Sequence, residues 1–184
     1  MKQNILLLFL FYSIVTFSQK KEMAENFRKG NYDKTIGIGK QILETEPNDF
    51  ETILLIARAE DEKGNFKNAI PYLGRAKKLM TEAWQKSWTF LELAKNSFGT
   101  GKIEDAKSHY NEALKINGTA NSEKELKKFG MLTGLDEFYE NWKTKETKNL
   151  IFHYENTINE DDIEELTKTR QIAFEKINAF FSSR

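Results

Sequence analysis

Apolar residues recur along the middle of this chain at helical spacing, in paired stretches with a glycine between the members of each pair. Ahead of Gly64, the positions Ile53, Ile56, Ala57 and Glu60 share one face of a helix; after it, Phe66, Ala69, Ile70, Leu73, Ala76 and Leu79 form a stripe of period near 3.6. Around Gly101 the arrangement returns, with Phe90, Leu93, Ala94 and Ser97 before it and Ile103, Ala106, Tyr110, Ala113 and Leu114 after it. Each stretch predicts a helix. Each glycine predicts the joint, because it supplies the φ > 0 that ends the first helix of a pair. Asn31 and Asn65 then suit the N-cap of the second helix. Pro47 helps to stop the helix before it, and Pro71 predicts a bend if it falls in a second helical turn.

The pairs repeat. Gly30-Asn31-Tyr32-Asp33-Lys34-Thr35-Ile36 is echoed 34 residues later by Gly64-Asn65-Phe66-Lys67-Asn68-Ala69-Ile70, and a third copy opens at Gly101, 37 residues further on. The longer second step implies about three extra residues between those units. A fixed period in this range is the mark of a solenoid. Ala57, Ala69 and Ala76 return as Ala94, Ala106 and Ala113, so small side chains stand wherever two helices must approach closely. Phe66 or Ile103, with Leu73 or Tyr110, fills the space between units.

On these residues the chain resembles the tetratricopeptide-repeat family, whose units place a small residue, an alanine, a large residue and a second alanine in this order. The first unit is degenerate, with Thr35 for alanine and Gly39 for the large residue, but it keeps Pro47. The tyrosine usual near the end of the family's first helix is replaced by Glu60 and Ser97. The resemblance covers about residues 20–117 and implies a mainly α fold, an α-solenoid of helical hairpins in about three units. It also implies a concave face lined by the first helices, a face that in this family binds proteins or extended peptides. Carried onto this sequence, that face takes Glu51, Leu54, Arg58 and Asp61 from the second unit and Trp88, Leu91, Lys95 and Phe98 from the third. Aromatics, leucines and cations together suit a peptide with apolar anchors and one acidic group. The alternative is that Trp88 and Leu91 pack on the C-terminal segment and complete the fold. Leucines at 54 and 91 argue against the Lys, Asn and Arg clamp that some members use on a terminal carboxylate.

After Asn117-Gly118 the repeat phase is lost, and residues 118–184 read as a separate segment. Ser122 to Glu125 predicts a capping-box start and a short helix to about Phe129. Leu135 to Lys143 predicts another helix carrying Phe138, Tyr139 and Trp142, and Thr144 to Lys148 a polar linker. Asn149 to Tyr154 predicts a single strand. A long helix then opens near Thr157 or Asn159, with acidic residues in its first turns and a stripe of Ile163, Leu166, Ala173, Phe174, Ile177, Phe180 and Phe181. The stretch from Trp142 through Tyr154 and into that helix resembles the entry to a gluzincin-type metallopeptidase-like domain. The family's H-E-x-x-H pattern is absent, so the resemblance implies no peptidase activity in this chain.

The first nineteen residues predict an address. One lysine at position 2 precedes thirteen largely apolar residues, Ile5 to Phe17, about 20 Å as a helix and too short to cross about 30 Å of hydrocarbon comfortably. This predicts an export signal of about residues 1–18 whose cleavage leaves Gln19 first, or an uncleaved anchor. The expected location is periplasmic or secreted, with no stable membrane span after cleavage.

Composition narrows the chemistry. There are 28 basic and 28 acidic side chains, so bulk charge predicts no nucleic-acid partner. Cysteine is absent and histidine occurs twice, as His109 and His153, which excludes disulfides and thiolate zinc sites and leaves little for catalysis. The acidic run from Glu160 lacks calcium-loop spacing. Gly99-Thr100-Gly101-Lys102 lacks the earlier glycine and the following Ser or Thr of a phosphate loop. No metal, cofactor or catalytic residue is expected. The expected function is an exported protein that binds or scaffolds other proteins; the alternative is the non-catalytic leading portion of a longer hydrolase-like protein.

Overall fold

The computed structural model describes residues 18–136 and 140–182, so the export signal expected over about residues 1–18 lies, but for Ser18, outside the described residues. Two compact units divide after Phe129.

The first unit is a row of helical hairpins. Helix α1 (described over 18–28) pairs with α2 (Tyr32–Thr45), α3 (Phe50–Glu62) with α4 (Phe66–Leu79), and α5 (Ala83–Gly99) with α6 (Ile103–Leu114). The three joints are built alike. Gly30, Gly64 and Gly101 have φ of 76, 75 and 74°. In each joint the glycine N–H bonds the carbonyl three residues back, and the next N–H bonds the carbonyl five residues back: Asn31 to Asn26, Asn65 to Glu60 and Lys102 to Ser97, at 2.8–2.9 Å. This pairing satisfies the carbonyls at a helix end and requires a left-handed residue where the glycines stand. Asn31 and Asn65 occupy the N-cap positions, but neither side chain caps. Each instead reaches back, Asn31 to Asn26 Oδ1 and Asn65 to Glu60 Oε2. Glu60 stands at a position where the resemblance leads one to expect a tyrosine, and Asn65 satisfies its carboxylate.

The longer repeat step is placed by the helices themselves. The N-caps Asp49 and Glu82 are 33 residues apart while the glycines are 37 apart, because α5 has 17 residues and α3 has 13. The extra residues form one additional turn inside α5, not a longer connection, so the faces stay in phase.

The repeat alanines at 57, 69, 76, 94, 106 and 113 are all buried. One core cluster joins Phe50, Ile53, Leu54, Ala57, Ala69, Leu73 and Ala76; a second joins Met23, Ile36, Ile42, Ile56 and Ala59. Phe66 packs where a side chain on Gly99 would sit 2.3 Å from its ring, and so ties α4 to the next hairpin. Ile103, its counterpart in the third unit, is 45% exposed and fills no such gap.

The repeat phase is not lost at Asn117. Helix α7 (Ala120–Thr133) starts 37 residues after α5 and is a further first-type helix. The Thr119 hydroxyl accepts from Ser122 N–H, and Ser122 Oγ accepts from Thr119 N–H. The box is therefore Thr119 with Ser122, three residues earlier than the sequence suggested, and the helix runs through Gly130 to end before Gly134 at φ 74°. Ser87 of α5 donates to Ser122 at 3.0 Å, and Phe98 meets Phe129 edge-on.

In the second unit, β2 (Ile151–Tyr154) is not alone. It pairs antiparallel with β1 (Lys143–Glu146), in register Lys143 with Tyr154 and Glu146 with Ile151. Lys-Thr-Lys-Glu reads as linker because its β-propensity is low; context overrides propensity here. Thr147 closes the turn through its N–H and hydroxyl to Leu150 O, and Lys143 bridges to Glu160 of α8 (Glu160–Ser182). The described residues of the stretch expected as a helix over Leu135–Lys143 are not helical: residues 134–136 and 140–141 are turn and β1 begins at Lys143, while residues 137–139, with Phe138 and Tyr139, lie outside the described residues.

Candidate functional site: the cleft between first helices

A cleft of about 660 Å³ opens along the first helices of the hairpin row, lined by Ala24, Phe27 and Arg28 of α1, Leu55, Arg58 and Glu62 of α3, Trp88 and Lys95 of α5, and Asn121, Lys124 and Glu125 of α7. A slot of about 180 Å³ adjoins it, sharing Leu55, Arg58 and Trp88 and adding Glu51, Leu54 and Trp84. A single bulky apolar side chain fits a slot of that size.

Of the residues expected to form a groove, Arg58, Trp88 and Lys95 line the cleft, and Leu54 lines the slot although it is only 6% exposed. Leu91 is completely buried and has no surface to offer. It belongs to the core. Phe98 packs on Phe129, and Asp61 stands beside the cleft, outside its lining. The residues missed are those of α1 and α7, together with Leu55 and Glu62 of α3 and Trp84 of α5. Stepping Arg58 and Asp61 back by 34 residues lands on Ala24 and Phe27; stepping Trp84 and Trp88 forward by 37 lands on Asn121 and Glu125. That arithmetic was open to the sequence once the register was carried through both ends.

Arg58 is the centre of the cleft. Its guanidinium lies 4.9 Å from the Phe27 ring centre and 4.6 Å from that of Trp88. Its Nε is 3.1 Å from Oε1 of Glu92, whose side chain is 3% exposed; Lys95 Nζ reaches the same oxygen at 3.3 Å. A stacked, ion-paired arginine is held in place on both counts.

Asp61 has less help. Asn96 Nδ2 donates to its Oδ1 at 2.6 Å and to the Phe66 carbonyl at 2.8 Å, while Oδ2 is buried without a hydrogen bond. Burial, with the Glu92 charge adding to it, pushes the Asp61 carboxyl up to about 7 against the pull of Asn96 and Lys95. A raised carboxyl pKa means that the folded state keeps a proton the unfolded state has released, so Asp61 adds stability at low pH and loses it as pH rises from about 4 through 7. After discounting for its partial exposure, about 1–2 kcal/mol is at stake. Urea midpoints at pH 5.5 and 8.0 should differ by that much in the wild type, and Asp61→Asn should remove most of the difference. Asp49 works the other way. Although partly buried, it is held below the usual carboxylate range by Lys20 and the Thr52 amide, and its contribution is lost only in acid.

Among the described residues no cluster of side chains could hold a metal, and no helix is long and apolar enough to cross a membrane. His109 is partly buried. Burial, then Lys77, lowers its pKa, and its Nδ1 lies 3.4 Å from Ser97 Oγ.

No family model matches the chain, and no curated protein matches it in sequence. Solved structures do match. The first tetratricopeptide-repeat domain of human RPAP3 superposes with a TM-score of 0.53 at 20% identity, covering 67% of this chain and 97% of that domain. The first such domain of Spaghetti (RPAP3), bound to an HSP90 peptide, gives 0.52 at 19%, covering 65% and 93%. The Sgt2 domain from Aspergillus fumigatus gives 0.52 at 16%, covering 73% and 89%. The chain has the tetratricopeptide-repeat fold: an α-solenoid of helical hairpins, followed by a short two-stranded sheet and a long helix.

Proposed function

We propose that this chain is a non-catalytic binding or scaffolding protein that holds a segment of a partner protein in the cleft between α1, α3, α5 and α7. The observation that carries the reading is the joined cleft and slot, whose walls combine Phe27, Leu55, Trp84 and Trp88 with the cations Arg28, Arg58, Lys95 and Lys124, which outnumber the carboxylates Glu51, Glu62 and Glu125. Such a surface suits a segment with one bulky apolar side chain for the slot and an acidic group beside Lys95 and Lys124. The Spaghetti domain holding an HSP90 peptide supports peptide binding as a use of this fold. Leu54 on the slot wall remains an argument against a two-sided clamp for a terminal carboxylate. The apolar leader supports export to the cell envelope, and N-terminal sequencing of the exported chain should begin at Gln19.

Reversing two cleft charges, Arg28→Glu with Lys124→Glu, should weaken partner capture from native envelope at least tenfold, as expected when charges that oppose a partner's are inverted. Lys107→Glu on the exposed side of α6 serves as the control and should not. Equal capture by both variants would remove the cleft from the account.

A further inference from the structure

Two carboxylates and two cations meet where α3 crosses α5, and only one of the carboxylates is served. Glu92 holds both Arg58 and Lys95 on a single oxygen. Asp61 receives one neutral amide N–H from Asn96, and its second oxygen is buried without any partner. A buried anion with an unserved oxygen is the costly state of such a group, and a proton removes the cost. The groups facing Asp61 are Glu92, Lys95 and Asn96 from α5 and Glu62 from its own helix; α4 contributes the Phe66 carbonyl, held by the same Asn96. Arg58 lies one turn earlier on α3.

We infer that the cleft takes up a proton at Asp61 when an acidic segment of a partner binds, so that Asp61 sets the pH range in which that partner is held. The inference rests on the cleft being the binding surface. With Asp61 neutral, the group of Arg58, Lys95, Glu92 and Asp61 carries one net positive charge. Ionising Asp61 cancels it and gives Lys95, which lines the cleft, a second carboxylate to serve. An acidic group arriving beside Lys95 and Lys124 is therefore held better when Asp61 is protonated. By linkage, its arrival favours the proton equally. Affinity for an anionic segment falls as pH rises through neutrality, and Asp61 does this as a positioning residue, through Lys95 and without touching the ligand.

The test is calorimetric titration of the full chain with acetyl-Glu-Glu-Leu-Asp-amide, in two buffers of different protonation enthalpy, with acetyl-Gln-Gln-Leu-Asn-amide as the uncharged control. The acidic peptide should bind with uptake of roughly half a proton at pH 7, and roughly fivefold more weakly at pH 8 than at pH 6. The uncharged peptide should show neither effect. Asp61→Asn should abolish the uptake and flatten the profile. If that variant does not fold, carboxyl-carbon NMR of the wild type decides: the Asp61 midpoint should rise when the acidic peptide is added. Binding without uptake, an unmoved Asp61 midpoint, or a profile that survives Asp61→Asn overturns the assignment and leaves the cleft standing. Failure of both peptides to bind removes both readings.

Discussion

Gly39→Leu is expected to destabilise the chain by about 2–3 kcal/mol, and adding Met23→Ala is expected to restore all but about 1 kcal/mol of it. The reason is an exchange of sizes between facing helices. In the second and third hairpins an alanine on the first helix, Ala57 or Ala94, stands with a large residue on the second, Leu73 or Tyr110, and all four are buried. In the first hairpin the sizes are reversed. Met23 takes the alanine position and Gly39 the large one. A methyl group on Gly39 would sit 2.7 Å from Met23 Cε and from Ile56 Cγ1. Leucine at 39 therefore overpacks a filled site, and its better helix propensity, worth roughly 0.8–1 kcal/mol over glycine, offsets only part of the strain. Removing the methionine thioether opens one side of the space and recreates the size order of the neighbouring hairpins, and the remaining cost is the shift that Ile56 must make. Urea denaturation of the two single variants and the double variant measures this. A double variant as unstable as Gly39→Leu alone would mean that Met23 is not what fills the glycine's place.

Arg58→Ala is the second large effect, about 2–3 kcal/mol, and it is a loss of stability before it is a loss of binding. Truncation leaves Glu92 in the interior with Lys95 alone and removes the plate that Phe27 and Trp88 pack against. Replacing the pair by apolar residues of similar size, Arg58→Met with Glu92→Leu, should return the midpoint to within about 1 kcal/mol of the wild type, because the desolvation of both charges goes with them. A cycle in which the two changes simply add would show that the ion pair contributes no coupling. The expected coupling is about 2 kcal/mol. For this reason Arg58, and Lys95 on the same Glu92 oxygen, are poor probes of partner binding, and Arg28 and Lys124 are better ones.

Much of the hairpin row was legible in the sequence because its determinants are local and periodic. Glycine at a left-handed joint, alanine at a crossing and an apolar stripe each act within a few turns of helix. The extra turn of α5 was harder to place, since a 37-residue step looks the same whether the added residues lie in a loop or in a helix. Helix α7 was missed as a repeat element because no helix follows it before β1 among the described residues and its cap is Thr119 with Ser122, not a Ser–Glu pair. The strand β1 could not be read at all from Lys-Thr-Lys-Glu, whose extended form depends on β2 beside it and on the bridge from Lys143 to Glu160. In the cleft, residue type alone pointed to Arg58, Trp88 and Lys95. Leu91 looked equally suitable, but its direction depends on which helix stands behind it, and that is a tertiary fact.

Site-specific photocrosslinking in the living cell tests the account most directly. A benzoylphenylalanine placed at Leu55, on the wall shared by slot and cleft, should form a discrete adduct with a partner protein, and the same group at Lys107 should not. Matching adducts from both positions, or an adduct from position 107 alone, would contradict a chain that works by holding its partner between its first helices.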